Sequence, residues 1–413
     1  MLYGNALWAS TANLEVNSLS DIELRELVGT SNYQKTNTTS HSFLNAFAAT
    51  LNLPFRHPLS MITSQLPPTT STLETSPSTS TQASLMNSFV DWKNTTSKIT
   101  VGWVPNIDPD NMIHLIQSNP AINVISPDWL TLSDANGHVQ SSISSVVVSY
   151  AHEHHLKVWA MATNQFNAHL THDVLSNLQR RTELVNEISA DAKLNKLDGI
   201  NLDFENLRPE DRQVFTNFAA ALHTALGKIH VQLSIDVTPD IVFLKDDAAF
   251  FHAGLAANCD YLVVMAYDEH YGGEQTPGPV ADIPWVETSV NDLLNTGVPA
   301  DQLILGIPFY TRIWHIHPDG SVTDIARATA TIPDLLATNH TDSHWDASLG
   351  VNYAKYGTAS DYHEVWYETK QTLQDKLQLV GDDNLAGVAI WSLSLPNNNA
   401  WSTIAEALRQ SVS

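Results

Sequence analysis

The stretch Asn201-Leu202-Asp203-Phe204-Glu205 alternates an amide and two carboxyls with apolar residues. Side chains of a strand point alternately to its two faces. An extended backbone here therefore puts Asn201, Asp203 and Glu205 on one face and Ile200, Leu202 and Phe204 on the other. Two carboxyls on one face can divide acid–base work, one holding a proton for transfer while the charge of the other raises its pKa. Burying such groups without partners is costly. Two explanations fit the local pattern: a reactive row at the mouth of a fold, or a strand end where acids simply reach water.

The surrounding chain supplies elements that could hold such a row. Short apolar runs at Ile99 to Val104, Val124 to Ser126, Lys157 to Ala162, Gly199 to Phe204, Val231 to Val237, Tyr261 to Ala266, Leu303 to Ile307 and Gly387 to Ser392 read as strands. Amphipathic stretches such as Asp173 to Lys193 and Arg208 to Leu226 lie between them. Strands alternating with helices indicate parallel βα units, and eight such units close a barrel. The expected fold is therefore α/β, a (β/α)8 TIM barrel, with a doubly wound open sheet as the alternative. The fourth strand would then carry the polar row toward the C-terminal mouth, where barrels of this type place their active sites. The gap before the last strand exceeds one helix and contains Gly320, Tyr353, Tyr356 and Trp366, followed by a helical pattern from Glu368 to Leu379. It predicts a small α+β insertion over about 315–380.

The run from Pro67 to Ser84 is rich in Ser, Thr and Pro and nearly free of apolar residues, so it cannot offset its ordering entropy and reads as a linker. The predicted organisation is a small N-terminal region over 1–66, a linker over 67–89 and one large unit over 90–413. The chain has 413 residues, 20 Lys plus Arg and 44 Asp plus Glu, a formal net charge of −24. That balance argues against nucleic acid or anionic lipid as a partner, because both require clustered cations. No apolar run is long enough for a membrane span. The single cysteine, Cys259, excludes an intrachain disulfide, and Met1 to Val16 lack the charged and apolar regions of a signal peptide.

The segment Asp198-Gly199-Ile200-Asn201-Leu202-Asp203-Phe204-Glu205 resembles the Asp-Gly-x-Asp-x-Asp-x-Glu signature of glycoside hydrolase family 18, the chitinase-like barrels. Gly102-Trp103-Val104-Pro105, Met265-Ala266-Tyr267-Asp268 and Leu305-Gly306-Ile307-Pro308-Phe309-Tyr310-Thr311-Arg312 resemble that family's first, sixth and seventh strands, and Trp391 stands where the eighth carries a tryptophan. The resemblance covers about residues 97–410. It is nearest to a branch of cell-wall and spore-peptidoglycan N-acetylglucosaminidases, through Tyr267-Asp268-Glu269-His270, Gly278-Pro279-Val280-Ala281 with Trp285, and Val365-Trp366-Tyr367-Glu368. Members of that branch often carry LysM modules. Gly4 to Trp8 with Leu24 to Leu27, and Ser42 to Leu66, loosely resemble one or two degenerate copies; a leader with one or two short helices is the competing reading.

The resemblance implies a retaining, substrate-assisted glycosidase that uses no metal or organic cofactor. Glu205 would be the general acid and then base, Asp203 would orient the 2-acetamido group, and Tyr267 would bond its oxygen. Trp391 would stack under the sugar with Asn201 nearby, and Asp236, Asp268, Tyr310 and Arg312 would either line the sugar site or act as structural bridges near the mouth. Asn201 replaces the first carboxylate of the common signature; it can still bond Asp203 but cannot store a proton. Glu269, His270 and Trp285, in a Gly/Pro-rich loop, would either shape a subsite or serve the loop. The implied partner is an N-acetylglucosamine polymer, peptidoglycan or chitin, and the implied location is extracellular, in the cell wall or on the spore. A catalytically dead, glycan-binding barrel is the third option, against which the retained Glu205, Asp203 and Tyr267 argue. His152-x-His154-His155 and His315-x-His317 lack a His-Glu-x-x-His frame and are expected to be solvated or locally bonded rather than metal ligands. Cys259 is expected to be a buried apolar residue.

Overall fold

The computed structural model describes residues 98–240, 249–396 and 400–410. The predicted N-terminal region, its LysM-like segments and the linker all lie outside these residues.

Eight parallel strands form the centre: β1 (Ile99–Val104), β2 (Val124–Leu132), β4 (Lys157–Thr163), β5 (Gly199–Asp203), β6 (Gln232–Val237), β7 (Tyr261–Val264), β8 (Leu303–Pro308) and β14 (Gly387–Trp391). Strand β1 pairs with β14 on one side and β2 on the other, so the sheet closes on itself and the open doubly wound alternative is excluded. The short β3 (Val139–Ser141) adds antiparallel to the far end of β2.

Helices α1 (Pro109–Ser118), α2 (Ser145–Glu153), α3 (Ala168–Leu175), α4 (Leu178–Leu194), α5 (Arg212–Gly227), α6 (His252–Ala256), α7 (Ile283–Asn295), α9 (Lys370–Asp382) and α10 (Ala400–Gln410) belong to the barrel unit. The single helix expected from Asp173 to Lys193 is two. The chain breaks at Ser176-Asn177, and the Asn177 side chain caps α4 by accepting from the Gln179 and Arg180 N–H groups.

The insertion is a five-stranded antiparallel sheet in the order β10-β9-β13-β12-β11. These strands are β9 (Tyr310–Ile316), β10 (Val322–Ala328), β11 (His344–Asp346), β12 (Val351–Gly357) and β13 (Tyr362–Tyr367), with α8 (Ile332–Thr338) between β10 and β11. The expected bounds of 315–380 need correction at both ends. The sheet begins at Tyr310, directly after β8, and ends at Tyr367, while α9 packs against α7 and α10 as a barrel helix.

Two apolar bodies meet at the barrel wall. Ile200, Leu202, Phe204 and Ile235 point outward and pack with Phe215, Phe218 and Leu222 of α5 in the main core. Inside, Val101, Trp103, Trp159, Met161, Val263, Ile304 and Ala389 plug the lumen. Gly199 makes room for that plug, since a Cβ there would come within 2.3 Å of the Trp159 ring. The interior turns polar above this plug.

Candidate active site

Ascending toward the mouth, β2 offers Ser126 then Asp128, β5 offers Asn201 then Asp203, and β6 offers Ser234 then Asp236. Each pair is spaced i, i+2 and so shares the inward face of its strand. The lower layer is knitted through Asn201. Its Oδ1 accepts from Trp103 Nε1 at 2.7 Å and Ser126 Oγ at 3.0 Å, and its Nδ2 donates to Ser234 Oγ at 3.0 Å and Asp236 Oδ1 at 2.7 Å. The expected bond from Asn201 to Asp203 is therefore replaced by one to Asp236, because the amide's two donors and two acceptor positions are already filled.

The upper layer gathers acids. Burial, reinforced by the charge of Asp128, pushes Asp203 up to about 7, and Asp128 itself is pushed up to about 6 by burial. Asp236 is raised by burial and by Asp203, with the Asn201 bond pulling the other way. Glu205 follows the end of β5 and is partly exposed at the mouth, yet its carboxyl is held well above the usual glutamate range. Burial is the largest cause, followed by the charges of Asp203, Asp236 and Asp268. A carboxyl in that state keeps its proton at pH values where a free glutamate has lost it, and can donate it.

Asn164, just past β4 and fully buried, fixes Glu205 through its backbone. Its Oδ1 accepts from the Glu205 N–H at 3.1 Å, and its Nδ2 donates to the Glu205 carbonyl at 2.7 Å and to Thr171 Oγ1 at 2.9 Å.

The loop after β7 and the first residues of β9 complete the mouth. Tyr310 Oη donates to Asp268 Oδ1 at 2.6 Å, and the Tyr310 ring meets Tyr267 edge-on with centroids 6.4 Å apart. Burial and the charges of Tyr310, Asp236, Glu205 and Asp203 hold the Tyr267 phenol protonated, as a donor. Gly306 on β8 leaves room beside that ring: a Cβ there would stand 2.7 Å from the Val264 carbonyl oxygen and 3.1 Å from Tyr267 Cε1. Arg312 is 6% exposed, forms an ion pair with Asp324 of β10, and lowers the pKa of Asp268 against the stronger effect of burial. Trp391 closes the floor from the end of β14, packing edge-on against Trp103 at 5.6 Å.

Of the residues singled out in the sequence, Asn201, Asp203, Glu205, Asp236, Tyr267, Asp268, Tyr310, Arg312 and Trp391 come together here. Trp285 does not join them. It sits in the first turn of α7, packed on the main core, with its N–H donating to the capping Asp282 side chain. Asp282 followed by Pro284 is a helix-start signal that could have placed it. Glu269 and His270 have structural partners: the Glu269 carboxylate accepts from the Asp282 N–H, and His270 Nδ1 lies 2.9 Å from Glu274. Asp128 and Asn164 were missed. The i, i+2 rule that exposed Asn201 and Asp203 also selects Ser234 and Asp236, but Pro127 interrupts the run that would have revealed Asp128.

His152 and His154 are locally bonded, to Asp198 and to the Tyr150 carbonyl. Cys259 is buried, and burial pushes its thiol up, which leaves it inert. It borders a cavity lined by His223, Asp260 and Gly297 at the start of β7, the opposite end of the barrel from the acids.

A glycosidase barrel is the class that this fold and mouth define, and the comparisons agree. Residues 89–395 match the model of glycosyl hydrolases family 18, and the chain belongs to that family. It is 27% identical to the uncharacterized glycosylase YvbX of Bacillus subtilis over 75% of this chain and 92% of that one. It is 24% identical to the cortical fragment-lytic enzyme of the same organism over 58% of this chain and 57% of that one. The crystal structure of a chitinase from Chromobacterium violaceum superposes with a TM-score of 0.68 at 22% identity, covering 75% of this chain and 99% of the other. The protein is a family 18 glycosidase, and among its described residues no helix is long and apolar enough to cross a membrane.

Proposed function

We propose that the enzyme cleaves β-1,4 bonds after N-acetylglucosamine in peptidoglycan, with retention and with the substrate's own acetamido group as nucleophile. The observation that carries this reading is the placement of Asp203 at the end of β5, two residues before Glu205. A conventional retaining pair flanks the sugar from opposite sides. Asp203 rises from the acid's own side of the mouth and is 8% exposed, so it suits a neighbour of the acetamido N–H better than an attacking carboxylate.

Glu205 protonates the glycosidic oxygen as the acetamido oxygen bonds to the anomeric carbon and the C–O bond breaks, giving an oxazolinium ion. Asp203 takes the N–H hydrogen bond and offsets the positive charge that develops; Tyr267 donates to the acetamido oxygen and aligns it. Glu205, now a carboxylate, takes a proton from water as that water attacks the anomeric carbon and reopens the ring. The Trp391 ring supports the sugar bound above it.

The cortical fragment-lytic relative supports peptidoglycan as the substrate, and cell-wall or spore association follows from it. A second reading, hydrolysis of chito-oligosaccharides, has the net charge of −24 in its favour, since peptide stems bring carboxylates that an acidic protein repels. The test digests purified peptidoglycan and chitotetraose and identifies borohydride-reduced products by mass spectrometry. Reduced N-acetylglucosamine ends from peptidoglycan are expected. Reduced muramic ends would overturn the assignment, cleavage of chitotetraose alone would favour the second reading, and binding without cleavage would make the barrel a glycan-binding module.

A further inference from the structure

The insertion sheet brings together a group that the sequence shows only in part. His315 and His317 are two apart at the end of β9, and Asp361 and His363 are two apart at the start of β13. The β9–β13 ladder sets His315 directly opposite His363. The rings confirm a shared face, with centroids 3.9 Å apart for His315 and His317 and 4.2 Å apart for His315 and His363. Asp361 Oδ1 lies 2.6 Å from His315 Nε2. Ligand atoms of His315, His317 and Asp361 all lie within 4.8 Å of one another.

We propose that His315, His317 and Asp361 form a binding site for a borderline transition-metal cation, Zn2+ above all, that ties the β9–β10 hairpin to the turn before β13. Two imidazoles and a carboxylate suit such an ion, whereas Ca2+ and Mg2+ require oxygen ligands. Ligands about 2.0–2.1 Å from a tetrahedral ion stand about 3.3 Å apart, so small side-chain rotations close the site around it. The metal takes the place of the hydrogen between His315 and Asp361. His317 has an outer partner of the kind that orients metal-bound imidazoles: its Nε2 lies 2.8 Å from Thr323 Oγ1, which leaves Nδ1 for the metal. His315 and Asp361 remain solvent-accessible, with side chains 30% and 51% exposed, so an ion can enter.

The site does not depend on the glycosidase assignment. Strand alternation puts Tyr310 and Arg312 on the opposite face of β9 from His315, so the metal is structural and stands away from the mouth. It stiffens the strand that carries both residues.

The experiment uses untagged full-length protein stripped with chelator. Zn2+ is titrated by calorimetry, Co2+ by visible absorption, and the melting temperature is followed with each. One saturable equivalent with an upward shift in melting temperature is expected, and the intense absorption of four-coordinate Co2+, with Mg2+ inert. The His315→Ala/His317→Ala double variant is expected to lose both signals. Thr323→Ala, which leaves the ligands in place, should weaken binding about tenfold. The other His–carboxylate group, Asp240, His252 and Asp292, serves as the control: His252→Ala should bind as wild type. Absence of a saturable equivalent, binding lost in His252→Ala, or binding unchanged in both the double variant and Thr323→Ala would overturn the site.

Discussion

Acids are handled in two ways in this molecule. Along the seam between barrel and insertion, buried carboxylates face cations. Lys376, 1% exposed, donates to Glu368 at 2.6 Å, and Arg312 pairs with Asp324. At the mouth they face one another: Asp203 is raised by burial and Asp128, and Glu205 by burial, Asp203, Asp236 and Asp268. Pairing works against burial, as Lys376 pulls the Glu368 pKa back down although burial still leaves it raised, whereas crowding adds to burial and holds the proton more firmly. The first arrangement suits architecture, and the second gives an acid that can act near neutral pH.

The largest expected effect is at Glu205. Glu205→Gln should lower kcat by about 10^2–10^4 while the melting temperature at pH 7 stays level or rises, as assayed by release of reducing ends and by calorimetry. A comparable loss from a variant of the seam, with Glu205→Gln active, would erase the distinction between the two regions.

Asp203→Asn should lower kcat/KM by about 10^2 and carries a stability signature with a definite sign. The folded state holds the Asp203 proton up to about 7, against an ordinary value of 3.8. Between those pH values the folded protein binds more protons than the unfolded chain, so this group lowers stability as pH rises through the window. Removing the charge should raise the melting temperature more at pH 8 than at pH 5.

The seam gives the opposite pattern. Lys376→Met leaves Glu368 buried beside an apolar side chain and should destabilise the protein by about 3–5 kcal/mol at pH 8. The loss should shrink toward pH 5, where Glu368 takes up a proton. Denaturant unfolding at the two pH values reads the difference.

How much of this was legible in the sequence depends on the kind of signal. The apolar runs of the eight central strands, and the Asn201, Asp203 and Glu205 face, follow from a two-residue period that needs no tertiary knowledge. Asp128 was hidden because Pro127 and a register shift between Asp128 and Leu130 disguise the rest of β2. Asn164 acts from a loop by gripping backbone, which leaves no periodic trace. Asp361 meets His315 only through the pairing of β13 with β9, and that register cannot be read from either strand alone. Trp285 was drawn toward the site by the Gly/Pro-rich loop before it, although the capping signal at Asp282 places it on a helix.

Asn201→Asp sharpens the contrast inside the mouth itself. The substitution turns the donor that meets Asp236 Oδ1 at 2.7 Å into another acceptor. The expected cost is about 1–3 kcal/mol at pH 7, less at pH 5 where a shared proton restores the bond. The smallest effect is expected from Asp128→Asn. Removing that charge lowers the pKa of Asp203, so the ascending limb of kcat/KM should move to lower pH with little change at its plateau.

The central claim is that the acids of the mouth hold protons that isolated carboxyls would have lost. Carboxyl-13C NMR titration of the intact enzyme, assigned with Asp203→Asn and Glu205→Gln, tests it most directly. The account predicts an Asp203 resonance that titrates near 7 and a Glu205 resonance that titrates well above the ordinary glutamate range. Midpoints for both at their ordinary values, 3.8 and 4.5, would contradict it.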